Sequence, residues 1–137
     1  RKPEGENLFD ALSNVKQYCL PKTGDQPIDV KWNLDVLSDY PKANAKFIVE
    51  IVRILQEALH NAIVRAECKS LSITSKCSDS GMYSIVITNS GGHSLESRSR
   101  EGFGLRNMEI RAQAIRANLS IQPHDSGACL TLTLPAL

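Results

Sequence analysis

The sequence predicts an α+β domain, a mixed sheet with helices on one face. Two observations carry this reading. Apolar residues recur at helical spacing in three separate stretches, and alternating apolar segments come mostly as pairs joined by short Gly- and Asp-containing turns. Strands grouped in hairpins with helices between them fit a sheet covered by helices better than a purely parallel α/β sheet.

The elements follow in order. Leu8, Leu12 and Val15 predict a first helix over Asn7–Tyr18, and Pro21, Gly24 and Pro27 then break the chain. Ile28, Val30, Trp32 and Leu34 alternate, as a half-buried strand does. Ser38–Asp39 before Pro41 reads as a helix start. The strongest helix spans Pro41–Ala66, where Ile48, Ile51, Val52, Leu55, Ala58, Leu59, Ala62 and Ile63 share one stripe. Leu71–Lys76 and Met82–Thr88 form a hairpin across Ser78–Gly81. The segment Ser90–Gly104 is rich in Gly, Ser and Arg and almost without apolar residues, so it reads as a long functional loop. Leu105, Met108, Ala112 and Ile115 predict a helix over Gly104–Ala117. Strands at Asn118–Gln122 and Cys129–Leu134 close the chain, turning through His124–Gly127.

At 137 residues the chain is one domain, 1–137, long enough to bury roughly 70% of its unfolded surface. It is 42% hydrophobic and 23% charged, ordinary for a globular protein. The net charge of +1 supplies no bulk field for nucleic acid or an anionic membrane, so an anionic ligand needs a local site. The cysteines (Cys19, Cys68, Cys77, Cys129) form no CxxC pair and the histidines (His60, His93, His124) are scattered, which argues against zinc. Reduced, mostly buried thiols in a cytoplasmic protein are expected instead. No apolar run approaches the ~18 residues of a membrane span, and no apolar run follows the N-terminal basic residues as in a signal peptide. The absence of an initial Met suggests a fragment of a longer protein.

Three short motifs carry candidate chemistry. In QEALHNAI, Glu57 and Asn61 are four apart on one helix face; with Ile48 at zero they fall at roughly 180° and 220°, opposite the apolar stripe. Taken alone, that pair is most simply a solvated face. In ITNSGG, Ile87–Gly92, a strand runs into paired glycines, which permit close approach of a ligand to backbone. In GFGLRNM, Gly102–Met108, two glycines precede a helix whose free N–H groups can hold phosphate.

In this order and spacing the three motifs resemble the catalytic domain of sensor histidine kinases, in the GHKL ATPase superfamily, and especially the nitrate-sensor and desaturase-sensor kinases. QEALHNAIVRA resembles the N-box xEALxNALKHA, ITNSGGHS stands where the G1 box DxGxG is found, and GFGLRNMEIRAQAI is similar to the G2 region GxGLxNMxERAxxL. SIQPHDSGACLTLTLP resembles the family's last hairpin, so the likeness covers Asn7–Pro135. It implies a two-layer α/β sandwich with ATP between helices and sheet, under a lid formed by residues 90–104. Asn61 would hold Mg²⁺, a role suited to a neutral oxygen ligand on a hard cation. Glu57 would be the catalytic general base or water-positioning acid. Asn89 and Gly91 would form the base-binding G1 segment, Arg65 would be the remaining N-box cation, and Gly102, Gly104 and Leu105 would meet the phosphates. The implied activity is transfer of the γ-phosphoryl of ATP to a histidine on a separate dimerisation domain, by positioning and electrostatics. The implied partners are that domain of the same kinase, a response regulator and, for the full-length protein, a second copy; this domain itself would contact no membrane or nucleic acid.

The chain departs from the family pattern at three places. The G1 aspartate, whose carboxylate accepts from the adenine amino group, is Asn89; losing charge assistance costs on the order of 1–2 kcal/mol, about tenfold. The second G1 glycine is His93, and the N-box Lys-His pair is Val64-Arg65. Weak or lost nucleotide binding is therefore expected, and a degenerate domain acting as a regulatory interaction module is the second reading. A serine kinase or other GHKL ATPase is a third, disfavoured by the LRNMEIRA helix start. No histidine of the chain stands where the family's phosphoacceptor would.

Overall fold

The computed structural model describes residues 5–20, 27–93 and 104–137. Helix α1 spans Leu8–Cys19, with the Asn7 side chain accepting from the Asp10 N–H at its start. Strand β1 (Asp29–Asn33) leads through a 3₁₀ turn, Asp35–Asp39, to helix α2 at Ala45–His60. α2 continues as a π-helical turn over Asn61–Arg65. Strands β2 (Ser70–Cys77) and β3 (Tyr83–Ser90), helix α3 (Leu105–Ala114), and strands β4 (Asn118–His124) and β5 (Gly127–Thr133) complete the chain.

The five strands form one mixed sheet in the order β1-β2-β3-β5-β4, parallel between β1 and β2 and antiparallel elsewhere. Parallel pairing of β1 and β2 follows from the long crossover through α2, whereas both hairpins need only short turns. Register places Ile73, Ile87, Leu130 and Ile121 in one row across the sheet, with Ile85, Leu132 and Leu119 in the next. These residues alternate with Ser72, Thr74, Thr88 and Thr131, which face the other way, so one face of the sheet is apolar. That face packs with Leu8 and Leu12 of α1, Ile51, Ile54, Leu55 and Leu59 of α2 and Met108 of α3 into a single core.

Several sequence expectations are corrected. α2 begins at Asn44, whose side chain accepts from the Phe47 N–H at 2.9 Å, and not at Ser38–Asp39, which lie in the 3₁₀ turn. The intervening residues are held extended by a bridge in which Glu6 and Ala43 exchange backbone hydrogen bonds of 2.8 and 3.0 Å. At its other end the α-helix stops at His60, where the predicted helix ran on to Ala66. The Ala66 N–H reaches back five residues to the Asn61 carbonyl, which defines the π turn. The thiols are not mostly buried: Cys68 is, Cys19 and Cys129 are half-buried, and Cys77 is exposed at the end of β2. All four are free, and burial raises the pKa of Cys19 and Cys68. Of the loop 90–104, residues 94–103 lie outside the described residues.

Candidate functional site

Glu57 and Asn61 sit on consecutive turns at the C-terminal end of α2. A single-stripe reading makes this a solvated face, yet Asn61 is buried and Glu57 half-buried. The reason is that α2 is the central helix, flanked by α1 and α3 together, so its covered arc is wider than its apolar stripe. Opposite Glu57 stands Gly104, the N-cap of α3, at φ +70°. A Cβ on Gly104 would lie 2.5 Å from the Glu57 carboxyl carbon. The backbone conformation therefore favours glycine here, and a Cβ would in addition oblige the Glu57 carboxylate to move aside.

Leu105, the first residue of α3, places its side chain in the core. Any contact it offers a ligand is therefore its backbone N–H in the helix's first turn. Gly102 lies outside the described residues. Arg65 closes the π turn four residues after Asn61, with its side chain exposed.

The glycines following β3 are tied to the end of α2. The Ala66 N–H donates to the Asn61 carbonyl and the Ala66 carbonyl accepts from the His93 N–H, both at 2.8 Å. The His93 ring turns away from the backbone to meet the Glu67 carboxylate at 3.0 Å, on the surface. Gly91 takes φ +84° and donates its N–H to Ser126 Oγ at 2.7 Å. A shallow cleft of about 310 Å³ is lined here by Glu67, Lys69, Gly91, Gly92 and His93.

Asn89 is on the apolar face of the sheet, in the row Leu71–Asn89–Ala128. It is 8% exposed, and its Oδ1 is buried without a hydrogen-bond partner. Gly127 backs onto it, and a Cβ there would come 2.5 Å from that oxygen. An unsatisfied buried acceptor costs about 1–3 kcal/mol. A buried acceptor of this kind fits a place where a ligand donor completes it.

A groove of about 880 Å³ runs along α2 between α1 and α3; its lining includes Asn14, Val52, Gln56, Glu57, Asn107 and Arg111, but neither Asn61 nor Asn89. Arg111, which lines it from α3, bonds Glu50 of α2 at 2.8 Å. Among the described residues no group of three His, Cys, Asp or Glu side chains could hold a metal by itself, and no helix is long and apolar enough to cross a membrane.

The fold thus brings together Glu57, Asn61 and Gly104, and separately Asn89 and Gly91, with a backbone link through Ala66 between the two groups. Sequence reasoning missed Ser126, Gly127, Lys69 and the Arg111–Glu50 pair. Ser126–Gly127 was legible only as a turn, and nothing in the local pattern pairs residues as distant as Glu50 and Arg111.

No protein-family profile matches the chain. Over 132 residues, 93% of its length, it is 30% identical to the sensor histidine kinase MctS of Rhizobium johnstonii, and it spans 27% of that protein. Among solved structures it is similar to the catalytic domain of the histidine kinase ThkA, with a TM-score of 0.74 at 17% identity, covering 96% of this chain and 93% of that one. It is also similar to the ATP binding domain of PrrB from Mycobacterium tuberculosis, with a TM-score of 0.60 at 18% identity, covering 96% and 91%. The mixed five-stranded sheet with its helices therefore has the GHKL α/β sandwich fold of histidine kinase catalytic domains.

Proposed function

We propose that the chain is the ATP-binding catalytic domain of a two-component sensor histidine kinase of the nitrate-sensor and desaturase-sensor type. It would pass the γ-phosphoryl group of ATP to a histidine on a separate dimerisation domain of the same protein. The observation that carries this reading is the contact of Gly104 with Glu57, which joins the start of α3 to the candidate acid–base residue on α2. The sensor-kinase relative and the kinase-domain fold support it.

The residues present fit the nucleotide. The partnerless Oδ1 of Asn89 is a buried acceptor suited to the adenine amino group. The Gly104 position keeps clear, for want of a Cβ, the space beside Glu57. Asn61 is a buried neutral oxygen donor and would hold Mg²⁺, which when bound offsets the charge of the phosphates. Glu57, half-buried in the lining of the groove, would orient the acceptor imidazole and take its proton. The first-turn N–H groups of α3 at Leu105 and after, with Arg65, would hold the phosphate oxygens in place. In the transfer, the bond from γ-phosphorus to the bridging oxygen breaks as a bond to the imidazole nitrogen forms, and ADP leaves. A response regulator would then be the downstream partner, and the full-length protein would be a homodimer with this domain on the cytoplasmic side.

The degenerate reading rests on the neutral Asn89, which lacks the charge of the family's carboxylate. Titration of a fluorescent ATP analogue with Mg²⁺ separates the two. Measurable binding, weakened at least about tenfold by Asn61→Ala, is expected from a nucleotide site of this kind. No binding at millimolar nucleotide would overturn it in favour of a regulatory module.

A further inference from the structure

We propose that Asn89 makes this site accept both 6-amino and 6-oxo purine nucleoside triphosphates. The inference rests on the reading that Asn89 faces the purine ring. Its physical basis is the surroundings of the side chain. Asn89 is 8% exposed on the core face of β3, and its cross-strand neighbours in the row are Leu71 and Ala128, both apolar. Behind it stands Gly127, which has no side chain, and a Cβ there would come 2.5 Å from Oδ1. Its Oδ1 has no hydrogen-bond partner. None of these three neighbours carries a side-chain donor or acceptor that would dictate which end of the amide faces a ligand.

An amide has an acceptor oxygen and a donor NH₂ of nearly equal size, and half a turn about the Cβ–Cγ bond interchanges them. With Oδ1 forward it accepts from the amino group that adenine carries at position 6. With Nδ2 forward it donates to the oxo group that hypoxanthine and guanine carry there. A carboxylate at the same place only accepts, so a 6-oxo purine would set two lone-pair-bearing oxygens against each other in a site with little water. Sites built on one fixed hydrogen-bonding polarity discriminate strongly, because the wrong ligand leaves a buried group unpaired. The amide gives up charge assistance with adenine and with it that source of discrimination.

The test is isothermal titration of the protein with Mg·ATP and Mg·ITP, followed by Mg·GTP. ITP isolates position 6, since it lacks the 2-amino group whose size could exclude GTP for a separate reason. ATP and ITP are expected to bind the unaltered protein within about tenfold of each other. In Asn89→Asp, ATP should bind more tightly and ITP should fall at least about thirtyfold behind it. ATP binding with ITP more than about tenfold weaker in the unaltered protein overturns this inference and leaves the proposed function standing. Failure of every nucleotide to bind overturns both. The comparison in the unaltered protein decides the matter even if Asn89→Asp does not fold.

Discussion

Gly104 at the start of α3 stands directly against Glu57 on α2, its missing Cβ 2.5 Å from the carboxyl carbon. Gly104→Ala should destabilise the domain by about 2–3 kcal/mol, combining the cost of an L-residue at φ +70° with displacement of Glu57. Adding Glu57→Ala should return the loss to about 1–2 kcal/mol, the conformational part alone. Urea denaturation reads both values, and a Gly104→Ala midpoint equal to that of the unaltered protein would contradict the contact.

The Arg111–Glu50 pair fastens α3 to α2 about two turns along the same face from that contact. Its carboxylate is 16% exposed and its guanidinium 33%. Partial solvent screening places the cost of removing one partner below that of a fully buried pair, so Arg111→Ala should lose about 1–2 kcal/mol. A double-mutant cycle with Glu50→Ala should return a coupling of about 1 kcal/mol, measured by equilibrium unfolding. Additive single effects would show that the bond contributes nothing to holding α3.

His93 occupies a position where the family pattern has glycine, yet its ring points at Glu67 on the surface, both side chains more than half exposed. An exposed pair of this kind contributes ~0–1 kcal/mol. His93→Gly should accordingly leave nucleotide affinity within about threefold, since the ring is already outside the backbone path. A large gain in affinity on that substitution would mean that the ring obstructs the site.

Tyr40 is buried between Phe47, stacked at 6.0 Å, and the edge of Tyr83 at 5.3 Å, and its hydroxyl donates to the Pro135 carbonyl at 2.5 Å. Burial pushes its pKa up to about 12 from 10. The folded state thus keeps the proton longer than the unfolded chain does. The stability this provides is complete below pH 10 and is lost as pH rises from 10 to 12. Tyr40→Phe should cost about 1 kcal/mol at pH 8 and flatten the decline in stability between pH 10 and about 12. Chemical denaturation across that range checks the slope.

Local periodicity made α1, α3 and the five strands legible to within a few residues, because amphipathic stripes and alternation are properties of contiguous chain. It misjudged where two segments separated in sequence set the boundary. α2 starts late because Glu6 pairs with Ala43, and it leaves α geometry early where the π turn at Asn61 meets the segment before His93. The candidate site was legible as three motifs, and the reading of Glu57 and Asn61 as an exposed face was the part that local pattern misled. A helical wheel shows which side of α2 is apolar, not that α1 and α3 cover it from both flanks.

The sequence by itself therefore determined the α+β class, the hairpins, the central helix and the residue types available for chemistry. Tertiary structure alone decided that Gly104 meets Glu57, that Ala66 links Asn61 to the glycines after β3, and that Asn89 faces an apolar row with its oxygen unsatisfied. The division has one physical cause. Periodicity and turn chemistry act over a few residues, whereas burial and hydrogen-bond satisfaction depend on which distant segment packs alongside.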